Sequence, residues 1–274
     1  MNQSMINSAV TMGQIQKKLD STGHNLANAN THGYKRRDTS FSDLLIQQVN
    51  NQSQERFETG RTTPNGIRVG SGAAVAQTAL RFEQGSIQET GRDLDVGLTQ
   101  PGYFFEISPT EEGERRFTRD GAFYLSPNGE GENFLVNSEG EYVLSADGNP
   151  ILLPANYESF NITESGNIQV TNEDGVEENV GQLQLVNITK PQLLQHNGEN
   201  NFVFPDLEEL ELEVADVLEE AAGTDVFRQS SLEMSNVDMS KEMTNMLEAQ
   251  RFYQFNSQAI SITDQMMGLV TNLR

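Results

Sequence analysis

The chain has 274 residues, with 18 Lys+Arg against 40 Asp+Glu and a formal charge of −22. That balance argues against a nucleic-acid binder, which needs clustered cations to neutralise phosphate. Cysteine is absent, so there is no disulfide framework, thiolate metal site or Cys nucleophile. The apolar share of 35% and mean hydropathy of −0.54 describe an ordered but surface-rich chain.

Charge is unevenly placed. Residues 1–45 hold five basic and three acidic side chains, and residues 228–274 hold four and five, so the acidic excess belongs to the stretch between them. Its most acidic part, 199–225, has ten acids and no Lys or Arg. The opening MNQSMINSAVTMGQ lacks the apolar run of a secretory signal. No run approaches the roughly 18 apolar residues of a membrane span. Neither a cleaved signal peptide nor membrane insertion is expected.

The first element is a helix over roughly residues 3–29. A 4-3 spacing runs through Met5, Ala9, Met12, Gln16, Leu19, Gly23 and Leu26. Asn28, Asn30 and Gly33 then supply helix-ending and turn chemistry. Residues 35–74, rich in Gln, Asn, Ser, Thr and Gly towards their end, read as an extended connector.

From 75 to 204 the pattern is β. Apolar runs at Tyr103–Ile107, Ala122–Leu125, Phe134–Val136, Tyr142–Leu144, Ile151–Leu153 and Leu183–Ile188 alternate with turns at Asn128-Gly129, Gly140, Asp147-Gly148, Ser165-Gly166 and Asp174-Gly175. Such spacing predicts hairpins in a sandwich or barrel-like domain. Residues 205–234 read as an acidic connector, in which Leu207, Leu210, Val214, Val217 and Leu218 suit a short helix.

The last element is a longer helix, roughly 237–272, with Ser235 and Asn236 as N-cap candidates and Asp238 in the first turn. Two apolar columns repeat every seven residues: Met239, Met246, Tyr253, Ile260, Met267, and Phe252, Ala259, Met266, Leu273, the second completed by Ala249 and Val270. This face is wider than a two-helix seam, so some of it should be covered by other chains. The fold class expected is α+β, with long terminal helices that suit a helical hairpin or bundle made for assembly, plus a central all-β domain.

Signals for chemistry are weak. His24, His32 and His196 fit no metal spacing and no nucleophile motif. Asp93 and Asp95 could open a calcium loop, but its twelfth position is Phe104 where Glu is required. Close carboxylate pairs are inevitable in so acidic a body and carry no information on glycoside hydrolysis. No enzyme, cofactor or metal is expected.

Leu19-Asp20-Ser21-Thr22-Gly23-His24-Asn25-Leu26-Ala27-Asn28-Ala29-Asn30-Thr31-His32-Gly33-Tyr34-Lys35-Arg36 resembles the N-terminal signature of bacterial flagellar rod and hook proteins. Ser235-Asn236-Val237-Asp238, Glu242-Met243, Asn245-Met246, Gln250-Arg251-Phe252-Tyr253, Asn256-Ser257 and Asp264-Gln265-Met266 resemble its C-terminal counterpart. Gly85–Gly91 with Leu94-Asp95-Val96, Phe117–Phe123, Val180–Leu185 and Thr63–Gly70 are similar to the distal-rod branch. The proximal-rod and hook branches share the terminal signatures. The chain departs from the pattern at His24, where Asn is usual, and in the acidic run 206–225, which replaces a Gly- and Ser-rich one; a member adapted to a different envelope, a Gram-positive one included, fits these departures.

The resemblance implies a non-enzymatic subunit of the flagellar basal body, whose terminal helices (1–34 and 235–274) form a coiled coil that packs with neighbouring copies and other rod and hook proteins into a tube that transmits torque, with the central β domain facing outward. It also implies passage through the flagellar type III export apparatus. The assembly residues it implies are Met5, Met12, Leu19, Asn25, Leu26, Asn28, Asn30, Thr31, Gly33 and Tyr34 at the start. At the end they are Asn236, Val237, Met239, Met243, Met246, Gln250, Arg251, Phe252, Tyr253, Asn256, Ala259, Ile260, Met266, Met267 and Leu273. Gln16 and Asn256 would set register at seam positions. Phe41 and Leu45 resemble an element used at the export gate, or else anchor the segment after the first helix. A cell-surface adhesin or envelope binding module, with the helices as a stalk, is the alternative from another class.

Overall fold

The structure, a computed structural model, describes residues 2–43, 46–49, 67–70, 73–109, 113–129, 131–154, 156–172, 175–198, 200–207, 211–221 and 225–272, with residues 2–3, 43, 46–49, 67–70 and 73–76 described by backbone only. Leu45, Leu210, Leu273 and the Thr63–Gly66 stretch lie outside these residues. A helix stands at each end of a central β domain: α1 (Asn2–Ala27) and α3 (Met239–Asn272), with one turn of helix, α2 (Val214–Val217), between them. The chain divides into two compact units, one of residues 1–26, 37–79 and 238–274, the other of 27–36 and 80–237.

In the first unit, α1 and α3 accompany two strand pairs. Strand Arg37–Asp43 pairs with Ala73–Leu80, and Ile46–Val49 runs antiparallel to Ile67–Gly70. Asp238, rather than Ser235 or Asn236, caps α3: its Oδ1 accepts from the Ser240 and Lys241 amides at 2.9 and 3.1 Å, and its carbonyl accepts from Glu242 at 2.9 Å. A carboxylate there satisfies orphan amides and meets the positive end of the helix dipole.

In the second unit a six-stranded sheet runs in the order 195–196, 201–203, 116–118, 103–107, 185–188, 218–220, each pairing antiparallel. Strand Tyr103–Ile107 is covered on both faces, and its one charged residue, Glu106, is buried with its carboxylate accepting from Arg115 at 2.6 and 2.8 Å. Phe105 points into one core with Phe123, Leu135, Leu153, Leu185 and Phe227. Its neighbour Phe104 points into the other with Phe117, Val186, Phe202 and Leu218, as the period of two requires. Two three-stranded meanders, 124–127/132–136/152–154 and 159–162/167–171/177–182, complete the body. Gly129 and Gly148 take left-handed backbone, φ +81° and +77°, as their turns demand.

Two expected boundaries differ. Residues 205–234 are not merely a connector: Leu218–Glu220 extends the large sheet, Phe227–Gln229 pairs with Val96–Leu98, and Ser231–Glu233 pairs with Ile87–Glu89. Val217, Leu218, Val226, Phe227 and Leu232 are buried, so these few apolar residues outweigh the acids around them. The described parts of 35–74 likewise pair as strands. Gln16 and Ala9 are exposed, because the covered stripe of α1 runs through Ile15, Thr22 and Asn25 instead. The expected apolar positions Met5, Met12, Leu19 and Leu26 are half-buried beside it.

Candidate assembly site

At 1.5 Å per residue, the 34 residues of α3 extend about 51 Å. One side is covered: Glu242, Ala249 and Thr263 are buried, and Met246, Asn256, Ile260 and Met267 are half-buried. These positions alternate four and three apart, so the first expected column lies towards the unit's interior. Met239, at its start, is exposed, and Tyr253 is largely so. The second column is open, with Phe252, Ala259, Met266 and Val270 all exposed.

Sequence reasoning missed a third column. Phe255, Ile262 and Leu269 stand at 65%, 48% and 65% exposure, seven residues apart, and interleave at helical spacing with the exposed Phe252, Ala259 and Met266 of the second column. Leu247 and Met243 are also open. The seven-residue interval was the available signal. Gln250 and Arg251 are exposed as well. Monomeric proteins rarely leave a contiguous apolar surface of this kind uncovered.

Beside α3 in the same unit lies a groove of about 250 Å³, lined by Thr11, Ile15, Lys18, Phe41, Ala249 and Phe252 among others. The Lys18 ammonium sits 5.7 Å from the centre of the Phe41 ring, within cation–π range. Phe41 is thus half in the groove and half exposed. The Asn25 amide makes two bonds with one backbone residue: Nδ2 donates to the Arg37 carbonyl and Oδ1 accepts from the Arg37 amide, both at 2.8 Å. Its Nδ2 also lies 3.4 Å from the buried Glu242 carboxylate. This polar demand turns the Thr22–Asn25 side of α1 inward, at the expense of the apolar seam.

The rest of the N-terminal signature lies in the second unit. Thr31 Oγ1 donates to Asn28 Oδ1 at 3.1 Å, and the Thr31 amide to the Asn28 carbonyl at 3.2 Å, closing the turn. Asn30 is exposed, whereas Tyr34 is buried. At Gly33 (φ +68°) an added Cβ would lie 2.6 Å from the Asp120 nitrogen, so both conformation and space require glycine.

Lys35 is buried and its Nζ donates to Glu233 Oε1 at 2.7 Å and to the Glu83 carbonyl at 3.0 Å. Arg119 Nε donates to Glu233 Oε2 at 2.7 Å. Burial, reinforced by the Arg119 charge and opposed by Glu233, lowers the Lys35 amine to about 8. Burial also lowers the Arg119 guanidinium, against the pull of Glu233. Asn236 accepts from the Arg36 amide at 2.8 Å and donates to the Arg81 and Glu83 carbonyls at 2.7 and 3.0 Å. Val237 follows, half-buried, its amide held by Ser235 Oγ at 3.3 Å. Lys35 stands in the N-terminal signature, but its pairing with Glu233 has no mark in the sequence, since 198 residues separate them.

Elsewhere in the body, Asp95 is engaged by Thr90 Oγ1 at 2.7 Å and Arg92 Nη1 at 3.0 Å, a structural use of the acid considered above for calcium. Among the described residues no helix is long and apolar enough to cross a membrane.

Two family models match. One, described as Flagellar hook protein FlgE/F/G D1 domain, covers residues 101–170, and the other, Flagellar basal body rod FlgEFG protein C-terminal, covers 228–273. The flagellar hook-basal body complex protein FlhP of Bacillus subtilis is 36% identical over the whole of both chains. The chain belongs to the flagellar rod and hook protein family. The basal-body rod protein FlgG of Bacillus subtilis is 32% identical over 96% of each chain, and FlgG of Borreliella burgdorferi is 34% identical over 100% of this chain and 99% of its own. Within this family chain, the C-terminal match takes in Glu233, Asn236 and the described part of the open α3 face. The D1 match takes in strand Tyr103–Ile107 and the two meanders as far as Val170.

Proposed function

We propose that this chain is a structural subunit of the flagellar basal-body rod, closest in role to the distal rod. Copies polymerise through their terminal helices into a tubular drive shaft that links motor to hook and transmits torque. One observation carries the proposal: the open apolar face of α3, from Met243 to Val270. A helix this long exposes that face at a large hydrophobic cost unless neighbours cover it. Identical copies meeting through unlike surfaces give a helical array rather than a closed ring. In that array α1 and α3 pair as a coiled coil in residues 1–34 and 235–274, while residues 75–204 face outward with the acidic 205–234 segment.

The partners are other copies and other rod and hook proteins. The family membership and the FlgG relatives support a flagellar basal-body location. The chain travels through the flagellar export apparatus without a cleaved signal, with Phe41 and Leu45 as its gate element. The similarity to FlhP, a flagellar hook-basal body complex protein, favours a second reading, a neighbouring segment of rod or hook.

Electron microscopy of cells lacking the gene tests this. Basal rings without hooks or filaments are expected, and the length of the residual rod identifies the segment built. Normal motility with lost attachment would instead favour a surface adhesin.

A further inference from the structure

The chain passes between the β body and the helical unit at residues 36/37, 79/80 and 237/238, besides the end of α1 at 26/27. Within the body, the three segments next to those passages, 33–36, 81–86 and 233–236, converge on two side chains. Glu233 receives Lys35 Nζ at 2.7 Å and the Gly85 amide at 2.8 Å on one oxygen, and Arg119 Nε at 2.7 Å on the other. Asn236 receives the Arg36 amide and gives both of its own hydrogens to the 81–83 backbone. Backbone bonds run between the same segments: Gly33 N to Glu233 O and Arg81 N to Arg36 O, both 2.9 Å, and Met234 N to Ser86 O, 2.8 Å. At Gly85 any Cβ would fall 1.9 Å from the Met234 carbonyl oxygen, which shows how closely the segments approach.

We propose that Glu233 and Asn236 form a clasp that makes three of the four chain exits of the β body, at 36/37, 79/80 and 237/238, open and close as one cooperative unit. The remaining chemistry fits this role better than simple stabilisation. Glu233 contacts two buried cations at once, so losing its charge strands Lys35 and Arg119 together rather than one partner alone. Asn236 has no charge, yet it uses three of its hydrogen-bonding positions on backbone groups from two separate segments. Apolar packing would hold three chains near each other; charge and amide geometry hold them in one register. A clasp of this kind prevents one exit from peeling away while the others remain. Its relevance to torque rests on the rod reading above; the clasp itself does not.

Amide hydrogen exchange on the purified full-length protein tests the clasp. Protection is followed in segments 33–36, 81–86 and 233–236, and in strands 103–107 and 185–188 as internal references. Asn236→Ala is expected to speed exchange in all three exit segments by about tenfold, with the references unchanged. Glu233→Gln is expected to do the same on the order of a hundredfold. Faster exchange at 233–236 alone, in Asn236→Ala, would overturn the proposal, as would equal acceleration in the reference strands. If Glu233→Gln fails to fold, the uncharged Asn236→Ala variant decides. The outcome does not depend on rod assembly, so a failed clasp and a failed rod assignment are distinguishable.

Discussion

The β body and α3 handle apolar surface in opposite ways. In the body, neighbouring residues of a single strand, Phe104 and Phe105, are each buried, one in either core, and even the acidic 205–234 stretch contributes Leu218, Val226 and Phe227 to closing them. On α3, Phe255 and Leu269 are 65% exposed, although a polar residue at either position would cost the isolated helix nothing. Stability of the lone chain therefore explains the body's sequence. It does not explain the open columns of α3, which make sense as surface to be covered by another subunit.

That contrast is open to attack from both sides, and the largest effects belong to the body. Phe105→Ala should lower unfolding free energy by about 3–5 kcal/mol, read from chemical denaturation of the purified protein. Glu233→Ala, which leaves two buried cations without their carboxylate, should cost about as much, 3–5 kcal/mol. Either change costing under about 1 kcal/mol would mean the body is not closed as described. Gly33→Ala should cost about 1–3 kcal/mol, because the left-handed backbone and the Asp120 nitrogen both oppose a Cβ.

Lys35 gives a pH signature with a definite sign. Its amine titrates near 8 in the folded body against 10.5 when unfolded. Between those values the unfolded chain holds the extra proton, so Lys35 makes stability rise with pH across that interval. Compared with Lys35→Met, the wild type should gain roughly 1–3 kcal/mol from pH 8 to 10.5, seen in paired denaturation curves. A difference that stays flat would contradict the buried, cation-flanked amine.

How far the sequence discloses this differs from element to element. Strand Tyr103–Ile107 and the turn at Asp147-Gly148 were readable because short apolar runs and glycine turns are local signals. Leu218–Glu220 was not, since three residues carry no period and the acids in and around them suggested solvent. The clasp was invisible for a different reason: Arg36 and Asn236 lie 200 residues apart, and nothing local marks either as a partner. In α1 the apolar seam was legible but its rotation was not, because Asn25 bonding to Arg37 decides which side turns inward. The third α3 column, Phe255, Ile262 and Leu269, was readable at its seven-residue interval and was overlooked because the two neighbouring columns already accounted for an apolar face.

The smallest expected stability effects fall on α3. Ile262→Asp and Leu269→Asp should each shift unfolding by no more than about 0.5 kcal/mol, as exposed substitutions do. The central claim, that this face exists to be covered by neighbouring subunits, is tested most directly by putting the Ile262→Asp/Leu269→Asp variant into cells lacking the wild-type gene and imaging their basal bodies. The account predicts a secreted or cytoplasmic variant whose β body unfolds like the wild type's, with rods that stop short and carry no hook. Complete, hook-bearing basal bodies built from that variant would contradict it.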